Sequence, residues 1–534
     1  MSNARRRRRG LTTSLALSPV SSYSSSPPSQ LPYWKFSQVL GGGGGGGGQD
    51  DDDTISAIEF DGRGDYLAAG DHAGRVILFR RTDENQVPPP SRTELERADQ
   101  GAAAAPPAYS YMTEFQSHEQ EFDVLHSLEI GEKVKKLRWC ARPNGSLCML
   151  ATNDRTVKLW KVSEHSARKG HGQPRRRRST PPPASLSEIA LLGQDGSGVT
   201  NGHYDQWASN KARNHLSSDS TELSDKAGEE VEVGEGYVAK CRRVFARAHE
   251  YNINSISNNC DGETFVSADD LRINLWHLEV TGQCFNIVDM KPADMEDLVE
   301  VIASAEFDPS SCSLLAYGSS RGFVRLVDLR RSALCDHAVR IFQDRENRMQ
   351  PRTFFTEIVS CISDVKFTGD GRHLLSRDYM NMKLWDLRVE SSPVSTYKVH
   401  EFLRPKLSEL YNDDYIFDRF SCCASKGGDY FATGSYSNTF KVFSRAAANP
   451  NGATTLEAST NPYRIQSFAS AKSTQGLLSN FARGIQRKGQ DGLRSDGRED
   501  TQCNMESKVT HLAWHPTENF IVCPANNSLY MYHT

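Results

Sequence analysis

A short β-rich unit recurs seven times along this chain, and that recurrence constrains the fold more than any single residue. Each copy ends in a run of alternating apolar and polar residues, the pattern of a half-buried strand. The seven runs are Gly74–Phe79, Thr156–Trp160, Arg272–Trp276, Val324–Asp328, Met382–Asp386, Phe440–Phe443 and Leu529–Tyr532. Because one such unit cannot bury its apolar face alone, the seven copies must pack against one another.

Two further strands precede each of these runs, and tight turns separate them. Asp-Gly pairs such as Asp61-Gly62 favour hairpins, and the small residues of Tyr66–Gly70 suggest that the second strand lies at a crowded axis. Trp385-Asp386 preserves the dipeptide of WD repeats, in which four strands form one propeller blade. The sequence therefore predicts an all-β fold, a seven-bladed WD-repeat β-propeller; an antiparallel sandwich with similar turn spacing is the alternative.

The two ends of the repeat array predict how the ring closes. The chain stops at Thr534 after the third strand of its last copy, whereas the apolar segment 33–39 precedes the first copy and has no partner in sequence. We expect residues 33–39 to complete the last blade, because closure removes exposed sheet edges. The alternative is a stray apolar patch in a disordered leader.

Low-complexity stretches account for the length beyond seven minimal blades. Residues 1–32 form a Ser/Pro-rich leader with the run Arg5–Arg9, and insertions are expected at 81–108, 163–247 and 446–507. Such segments cannot bury enough apolar surface to fold alone. We therefore expect one domain over residues 33–534, with a disordered leader; a transit peptide is the alternative for the leader.

Composition excludes several classes of protein. The net charge is −4 and no apolar run approaches the length of a membrane span, so neither nucleic acid nor a membrane is expected as a partner. The twelve cysteines are scattered, with several expected inside strands: Cys140, Cys148, Cys312, Cys361 and Cys523. This usage predicts buried free thiols in a reducing compartment rather than a disulfide framework, and so a cytoplasmic location, with the nucleus as an alternative.

The sequence contains no recognisable catalytic constellation. P-loop, zinc-protease and nucleophile-elbow patterns are missing. Gly70–Gly74 superficially resembles a metal-binding motif of serine/threonine phosphatases, but the partner motifs are missing, and we interpret it as a turn between strands. We expect no catalytic residue, no metal and no cofactor.

Several longer strings are highly specific: Phe115–Glu119, Ser267–Leu278, Phe285–Ala293, Ser332–Asp336, Ile362–Phe367 and Tyr415–Phe420. Together they closely resemble the WD-repeat B-type regulatory subunits of protein phosphatase 2A, and the ending Leu529–Tyr532 resembles plant members. The resemblance runs from about Tyr33 to Thr534, interrupted by the insertions.

The resemblance implies a protein without activity of its own that binds the scaffold and catalytic subunits of the phosphatase and recruits phosphoprotein substrates. It also implies a hairpin arm from the second blade that reaches the scaffold subunit. Here the arm must come from residues 163–247, with Arg242, Arg243 and Phe245 near its ordered base. Its middle, 185–233, departs from the family pattern.

Turns between the second and third strands open on one propeller face, which is acidic and partly aromatic. Such a surface suits basic substrate segments. Asp269 is expected to favour recognition, whereas Asp270 can either hold its turn or bind substrate. The resemblance places Asp270, Leu298 and Arg419 where substrates dock, and His72 where relatives often carry lysine.

A second function from another class stays open at this point. A WD-repeat propeller also serves as a scaffold in ubiquitin ligases and chromatin assemblies, and composition does not separate that role from phosphatase regulation. Only the specific strings above favour the phosphatase complex.

Overall fold

The computed structural model describes residues 32–41, 53–82, 106–124, 127–141, 146–164, 236–280, 282–331, 339–345, 353–446, 452–465, 503–525 and 527–534, and the backbone alone of 230–233. The expected leader, the string Ser332–Asp336 and the middle of the expected arm lie outside these residues. The described residues form 31 strands and a few short helices.

Strands β1 to β12 supply the closing strand and the first two blades. They are β1 (Lys35–Gly41); β2 (Ile55–Phe60), β3 (Tyr66–Asp71), β4 (Arg75–Thr82) and β5 (Ala108–Gln116) of blade 1; a hairpin of β6 (Glu121–Asp123) and β7 (Leu128–Ile130); and β8 (Lys136–Trp139), β9 (Leu147–Thr152), β10 (Val157–Glu164), β11 (Glu230–Val233) and β12 (Tyr237–Phe245) of blade 2.

Blades 3 to 5 are regular four-stranded antiparallel sheets. They consist of β13 (Ser255–Asn258), β14 (Thr264–Ala268), β15 (Arg272–His277) and β16 (Cys284–Asp289); β17 (Ile302–Phe307), β18 (Leu314–Ser319), β19 (Val324–Asp328) and β20 (Val339–Phe342); and β21 (Asp364–Phe367), β22 (His373–Arg377), β23 (Asn381–Asp386) and β24 (Ser395–Lys398).

Blades 6 and 7 complete the ring, and short helices lie in the connections between blades. The strands are β25 (Cys422–Ala424), β26 (Tyr430–Gly434), β27 (Thr439–Ser444) and β28 (Ala453–Glu457), then β29 (Ala513–Trp514), β30 (Phe520–Ala525) and β31 (Ser528–His533). The helices are α1 (Phe354–Val359), α2 (Leu407–Asn412) and the 3-10 turns Met295–Asp297, Glu401–Lys406 and Tyr415–Phe417.

The first strand of every blade lines the axis. Strands β2, β8, β13, β17, β21, β25 and β29 are neighbours in that order, and β29 meets β2 again. The expectation that the second strand lies at the axis is therefore wrong. Its small residues have another cause: a methyl group on Gly70 would approach Cγ1 of Val134, at the entry to the next blade, to 2.5 Å.

Gly318 and Gly434 occupy the corresponding place in blades 4 and 6. A methyl group added there would collide with Ile362 and with the carbonyl oxygen of Val509, respectively. The small residues of the second strand thus allow each blade to pack closely against the next.

The closing strand predicted from the sequence is present. β1 pairs antiparallel with β31, from Lys35 opposite His533 to Gly41 opposite Ser528. Trp34, which is only 1% exposed, packs edge-on against Trp514 with ring centroids 5.5 Å apart. Blade 7 therefore contains strands from both ends of the described chain.

Two expected insertions contain blade strands. β12 lies within 163–247 and β28 within 446–507, and each is the fourth strand of its blade. Both strands are more polar than the inner ones because the outer edge of β28, and that of β12 beyond its pairing with β11, faces solvent, which is why they did not stand out in the repeat. The undescribed parts of the insertions are correspondingly shorter: 83–105, 165–229, 447–451 and 466–502.

The ring has two distinct faces. The upper face carries the turns between second and third strands and the connections from one blade to the next. The lower face carries the turns between first and second strands and the connections between third and fourth strands, including the connection from β10 to β12.

An ion-pair network crosses the axial channel. Arg138 of blade 2 donates from Nη1 to Oε2 of Glu59 in blade 1 at 2.7 Å and from Nη2 to Oε2 of Glu306 in blade 4 at 2.9 Å. Lys366 of blade 5 donates to the same Glu306 oxygen at 2.7 Å. Four blades are thereby connected through three consecutive ion pairs.

The cysteine prediction needs a correction. Cys260 and Cys312 form a disulfide, and Cys312 lies in a turn rather than a strand. Neighbouring turns of blades 3 and 4 bring the two Cα atoms to 5.2 Å, a distance that a disulfide spans without moving the backbone. The other cysteines of the described residues are free, and six of them are buried.

Candidate functional site

Asp269 is a structural residue of the turn between β14 and β15. Its Oδ1 accepts backbone N–H groups of Leu271 at 2.8 Å and Arg272 at 2.6 Å, and its Oδ2 lies 2.8 Å from Nδ1 of His249. The residue is 0% exposed. The expectation that Asp269 favours recognition is therefore wrong, because its carboxylate is enclosed and already holds the turn.

A chain of hydrogen bonds extends this anchor into the blade. Trp276 Nε1 donates to Ser267 Oγ at 2.8 Å, and Ser267 Oγ lies 2.6 Å from Nε2 of His249. His249 therefore lies between the carboxylate of Asp269 and the hydroxyl of Ser267, with one ring nitrogen within hydrogen-bond distance of each. His249 thus links the turn anchor to the interior of blade 3.

The turn anchor occurs at the same distance from the aromatic residue in other blades. Asn153 accepts the N–H groups of Arg155 and Thr156 and lies seven residues before Trp160. Asp378 accepts those of Met380 and Asn381 and lies seven residues before Trp385. The spacing at Asp378, where no second carboxylate follows, is the sequence signal that would have identified Asp269 as the anchor.

Asp270 is the partly exposed member of the pair and lies near the mouth of the axial channel. Its backbone oxygen accepts the N–H of Ile302 at 2.7 Å. Burial raises the pKa of its carboxyl group, whereas the charge of Arg419 and a hydrogen bond from Asn254 lower it. The structure therefore brings Asp270 and Arg419 together, although one belongs to blade 3 and the other precedes blade 6.

His72 and Leu298 lie on the same upper face but in other parts of the ring. His72 is half-buried in the turn between β3 and β4, where its N–H donates to Thr54 O at 3.0 Å. Leu298 is half-buried directly after the 3-10 turn Met295–Asp297. Of the five residues predicted for recognition, four line the upper face and only Asp269 is fully buried.

The sequence predicted an acidic and partly aromatic upper face, but not the exposed aromatic cluster that lies there. Phe354 of α1, Tyr411 of α2 and Phe417 are 58%, 37% and 54% exposed. Ring centroids lie 5.1 Å apart for Phe354 and Tyr411 and 5.9 Å apart for Tyr411 and Phe417. Their signal was the presence of aromatic residues in polar connections between blades, where no strand buries them.

Exposed acidic residues lie on the same face as this cluster. Asp413 and Asp414 follow α2, and Glu296 and Asp297 lie in the connection after blade 3; all four are exposed. Next to α1, a cavity of about 530 Å³ opens between blades 4 and 5. Its walls include Val299, Glu357, Asp378 and Met380, with Arg321 and Arg404 as cations. The upper face thus combines exposed apolar groups with carboxylates, as a protein-binding surface does.

The residues predicted for the base of the arm have different environments. Arg242 is exposed, and Arg243 Nη2 lies 3.7 Å from Oε2 of Glu279. Phe245, by contrast, is buried against Phe265 and Trp276, with ring centroids 4.9 and 5.4 Å away. The assignment of Phe245 to a scaffold contact is therefore wrong, because the residue belongs to the core between blades 2 and 3.

The register of β12 shows where the ordered ends of the connection from β10 to β12 lie, the segment from which the arm was expected. Tyr237 pairs with Glu164 at the lower face, whereas Phe245 pairs with Val157 near the upper face. β11 lies outside β12 and pairs with Tyr237–Lys240. The ordered base of the connection is thus at Glu164, Tyr237 and β11, at the end of the strand away from Phe245.

The described residues contain neither a group of metal ligands nor a membrane-spanning helix. Within the described residues, no group of three histidine, cysteine or carboxylate side chains could hold a metal ion. No helix in the part of the chain that the structure describes is long and apolar enough to cross a membrane.

Comparison with known proteins first defines the class of the chain. Residues 239–277, which extend from β12 through β15, match the family described as WD domain, G-beta repeat. Together with the seven closed blades, this match identifies a WD-repeat propeller and confirms the fold predicted from the sequence.

Curated relatives then define the family. The chain is 49% identical over 525 residues to the alpha isoform of the 55 kDa B-type regulatory subunit of serine/threonine protein phosphatase 2A from Oryza sativa subsp. japonica, covering 94% of this chain and 84% of the relative. It is 48% identical over 519 residues to the alpha isoform of Arabidopsis thaliana, covering 96% and 98%. The chain belongs to the family of 55 kDa B-type regulatory subunits of protein phosphatase 2A, and its role is regulatory rather than catalytic.

Proposed function

We propose that this chain binds the scaffold and catalytic subunits of protein phosphatase 2A and presents phosphoprotein substrates on its upper face. The observation that carries the proposal is the division of the molecule into two faces. The exposed aromatic cluster and its carboxylates lie on the upper face, whereas the connection from β10 to β12 leaves from the lower face.

The chemistry of the upper face supports a substrate class. Phe354, Tyr411 and Phe417 offer apolar contact area, and the neighbouring carboxylates attract cations and accelerate encounter. An amphipathic segment with an apolar side and basic flanks is complementary to such a surface. We therefore propose that substrates dock through basic and apolar residues near the phosphorylated site.

Scaffold binding is assigned to the lower face through the arm. Glu164 and Tyr237 are paired neighbours, so the ends of the connection can be joined without disturbing blade 2. Replacing residues 165–235, which include β11, by a short glycine-rich linker is expected to keep the four-stranded core of blade 2 folded and to abolish capture of the scaffold subunit, because β8, β9, β10 and β12 stay paired and loop length has little effect on folding.

A matched control exists in blade 1. Residues 83–105 also join a third to a fourth strand on the lower face, and Thr82 pairs with Ala108. Shortening that connection is expected to leave capture of the scaffold unchanged. If the chain without 165–235 still captures the scaffold subunit at wild-type affinity, the scaffold subunit binds elsewhere on the propeller.

If neither the scaffold nor the catalytic subunit is captured by the wild-type chain, the WD-repeat scaffold of a ubiquitin ligase or chromatin assembly becomes the better assignment.

A further inference from the structure

Cys260 and Cys312 connect two neighbouring blades on the lower face. Cys260 lies in the turn between β13 and β14 of blade 3, and Cys312 lies in the turn between β17 and β18 of blade 4. Their sulfur atoms are bonded across a sequence separation of 52 residues. The bond is therefore an inter-blade cross-link rather than a brace within one hairpin.

The two turns are held together by contacts that do not involve sulfur. Asn259 donates from Nδ2 to the backbone oxygen of Cys312 at 3.0 Å, and its Oδ1 accepts the N–H of Cys260 at 2.8 Å. Each blade is also complete without the disulfide, since its four strands are paired through the backbone. Reduction is thus expected to leave the two thiols adjacent and the propeller folded.

Solvent exposure separates this pair from the other cysteines of the described residues. Both Cys260 and Cys312 are exposed, and Cys284 is the one free cysteine with the same exposure in that part of the chain. A small thiol or disulfide can therefore reach either sulfur atom. Exposed disulfides are the ones that exchange with the glutathione pool, whereas buried ones resist it.

We infer that Cys260 and Cys312 are a reversible thiol–disulfide pair that cross-links blades 3 and 4 when glutathione disulfide accumulates. In the reduced protein, the thiolate of one cysteine attacks glutathione disulfide, forms a mixed disulfide and releases one glutathione thiolate. The second cysteine thiolate attacks the protein sulfur of that mixed disulfide, forms the inter-blade bond and releases the second glutathione thiolate. The two cysteine protons end on the two glutathione molecules, and the two electrons lost by the cysteines reduce the glutathione disulfide.

The cross-link has a measurable consequence. A bond across 52 residues restricts the unfolded chain, so the oxidised protein is expected to melt about 2–5 °C above the reduced protein. The site is on the lower face, so the change occurs away from the exposed aromatic cluster.

The test equilibrates the full chain in buffers of defined glutathione to glutathione-disulfide ratio, blocks free thiols by alkylation and identifies peptides by mass spectrometry without reduction. The expected result is a peptide cross-linked through Cys260 and Cys312 that appears in oxidising buffers and disappears in reducing ones. Cys260→Ser and Cys312→Ser should each abolish this peptide and the difference in melting temperature. Cys284→Ser is the matched control and should retain both.

Three results would overturn the inference. The first is the absence of the cross-linked peptide at every ratio, with both cysteines alkylated. The second is glutathione attached separately to Cys260 and Cys312 without the inter-blade bond. The third is a cross-link that persists in the folded protein under strongly reducing buffer, since the bond would then be permanent rather than reversible.

Discussion

Asp269 and Asp270 are adjacent in one turn but face different environments. Asp269 is enclosed and accepts hydrogen bonds from two backbone amides, whereas Asp270 is partly exposed beside Arg419. Burial raises the pKa of Asp270, so its ionised form is less stable in the folded protein than in water. An ionisable carboxyl group at a partly buried position whose pKa is raised is more easily explained by a role in substrate binding than by a contribution to stability.

Replacing Asp270 is therefore expected to separate binding from stability. Asp270→Asn should match or exceed the wild-type melting temperature at neutral pH. The raised folded-state pKa means that the wild-type residue contributes most at low pH, so any advantage of the variant should vanish below the ordinary aspartate pKa. Dephosphorylation of a basic-flanked phosphopeptide by the assembled trimer should fall roughly fivefold or more.

The neighbouring residue provides the control for that experiment. Asp269→Ala should lower the free energy of unfolding by about 1–3 kcal/mol, because buried amides and His249 lose their acceptor. Full trimer activity in a natively folded Asp270→Asn variant would place recognition elsewhere on the ring.

Gly434 tests the close approach between blades. A methyl group there would collide with the backbone of Val509, which cannot move without displacing blade 7. Gly434→Ala is expected to reduce the free energy of unfolding by about 1–3 kcal/mol, measured by chemical denaturation. Gly62, in an open turn with no atom near its missing side chain, is the matched site, and Gly62→Ala should change stability by less than about 0.5 kcal/mol. Equal losses at both positions would mean that packing is not the cause.

At the scale of single elements, the closing strand depends on one side chain. The Trp34 side chain is buried between blades 6 and 7 and contacts Trp514, and its backbone N–H donates to Tyr463 Oη at 2.9 Å. Trp34→Ala should lower the free energy of unfolding by about 3–5 kcal/mol, because it leaves a large cavity where the ring closes. Val39 lies in β1, which begins directly after Trp34, but is 39% exposed, so Val39→Ala should have a much smaller effect. A melting temperature unchanged by Trp34→Ala would show that the ring is held closed by other contacts.

The inner strands of the blades were predictable from the sequence, and so was the closing strand β1, whereas β12 and β28 were not. Inner strands repeat an alternating pattern because neighbouring blades bury them, whereas the outer edge of β28 and part of that of β12 face solvent, and both strands resemble insertions. Within the residues that the structure describes, the helices α1 and α2 have no counterpart in other blades, so no recurrence marks them. The aromatic cluster that they carry was missed for the same reason.

At the scale of the whole molecule, different connections form the two faces of the ring, so the residues of one face can vary without changing those of the other. Every blade sends one kind of connection upward and another downward, so the same architecture presents an aromatic, acidic surface above and the ends of the connection from β10 to β12 below. The sequence could predict which face each turn belongs to, since strand order determines it. It could not predict that Phe245 is buried, because that depends on the register between β10 and β12.

The axial ion pairs connect blades that are distant in sequence, and their loss is expected to weaken the entire ring. Arg138→Met would leave Glu59 and Glu306 in the channel without the guanidinium group that now contacts both. The free energy of unfolding should fall by about 2–4 kcal/mol at neutral pH.

The size of this loss is expected to depend on pH. Burial already raises the pKa of Glu59, and Arg138 opposes that shift, so removing Arg138 raises the pKa of Glu59 further. The folded variant then binds a proton more readily than the unfolded chain, and its deficit should narrow as the pH is lowered from about 7.5 to 5.5. Melting temperatures of wild type and variant at both pH values measure this. Arg330 forms an exposed pair with Asp328 in the same ring, and Arg330→Met should have little effect at either pH. A deficit for Arg138→Met that widens on acidification would show that another interaction of Arg138, and not its pairing with these carboxylates, stabilises the propeller.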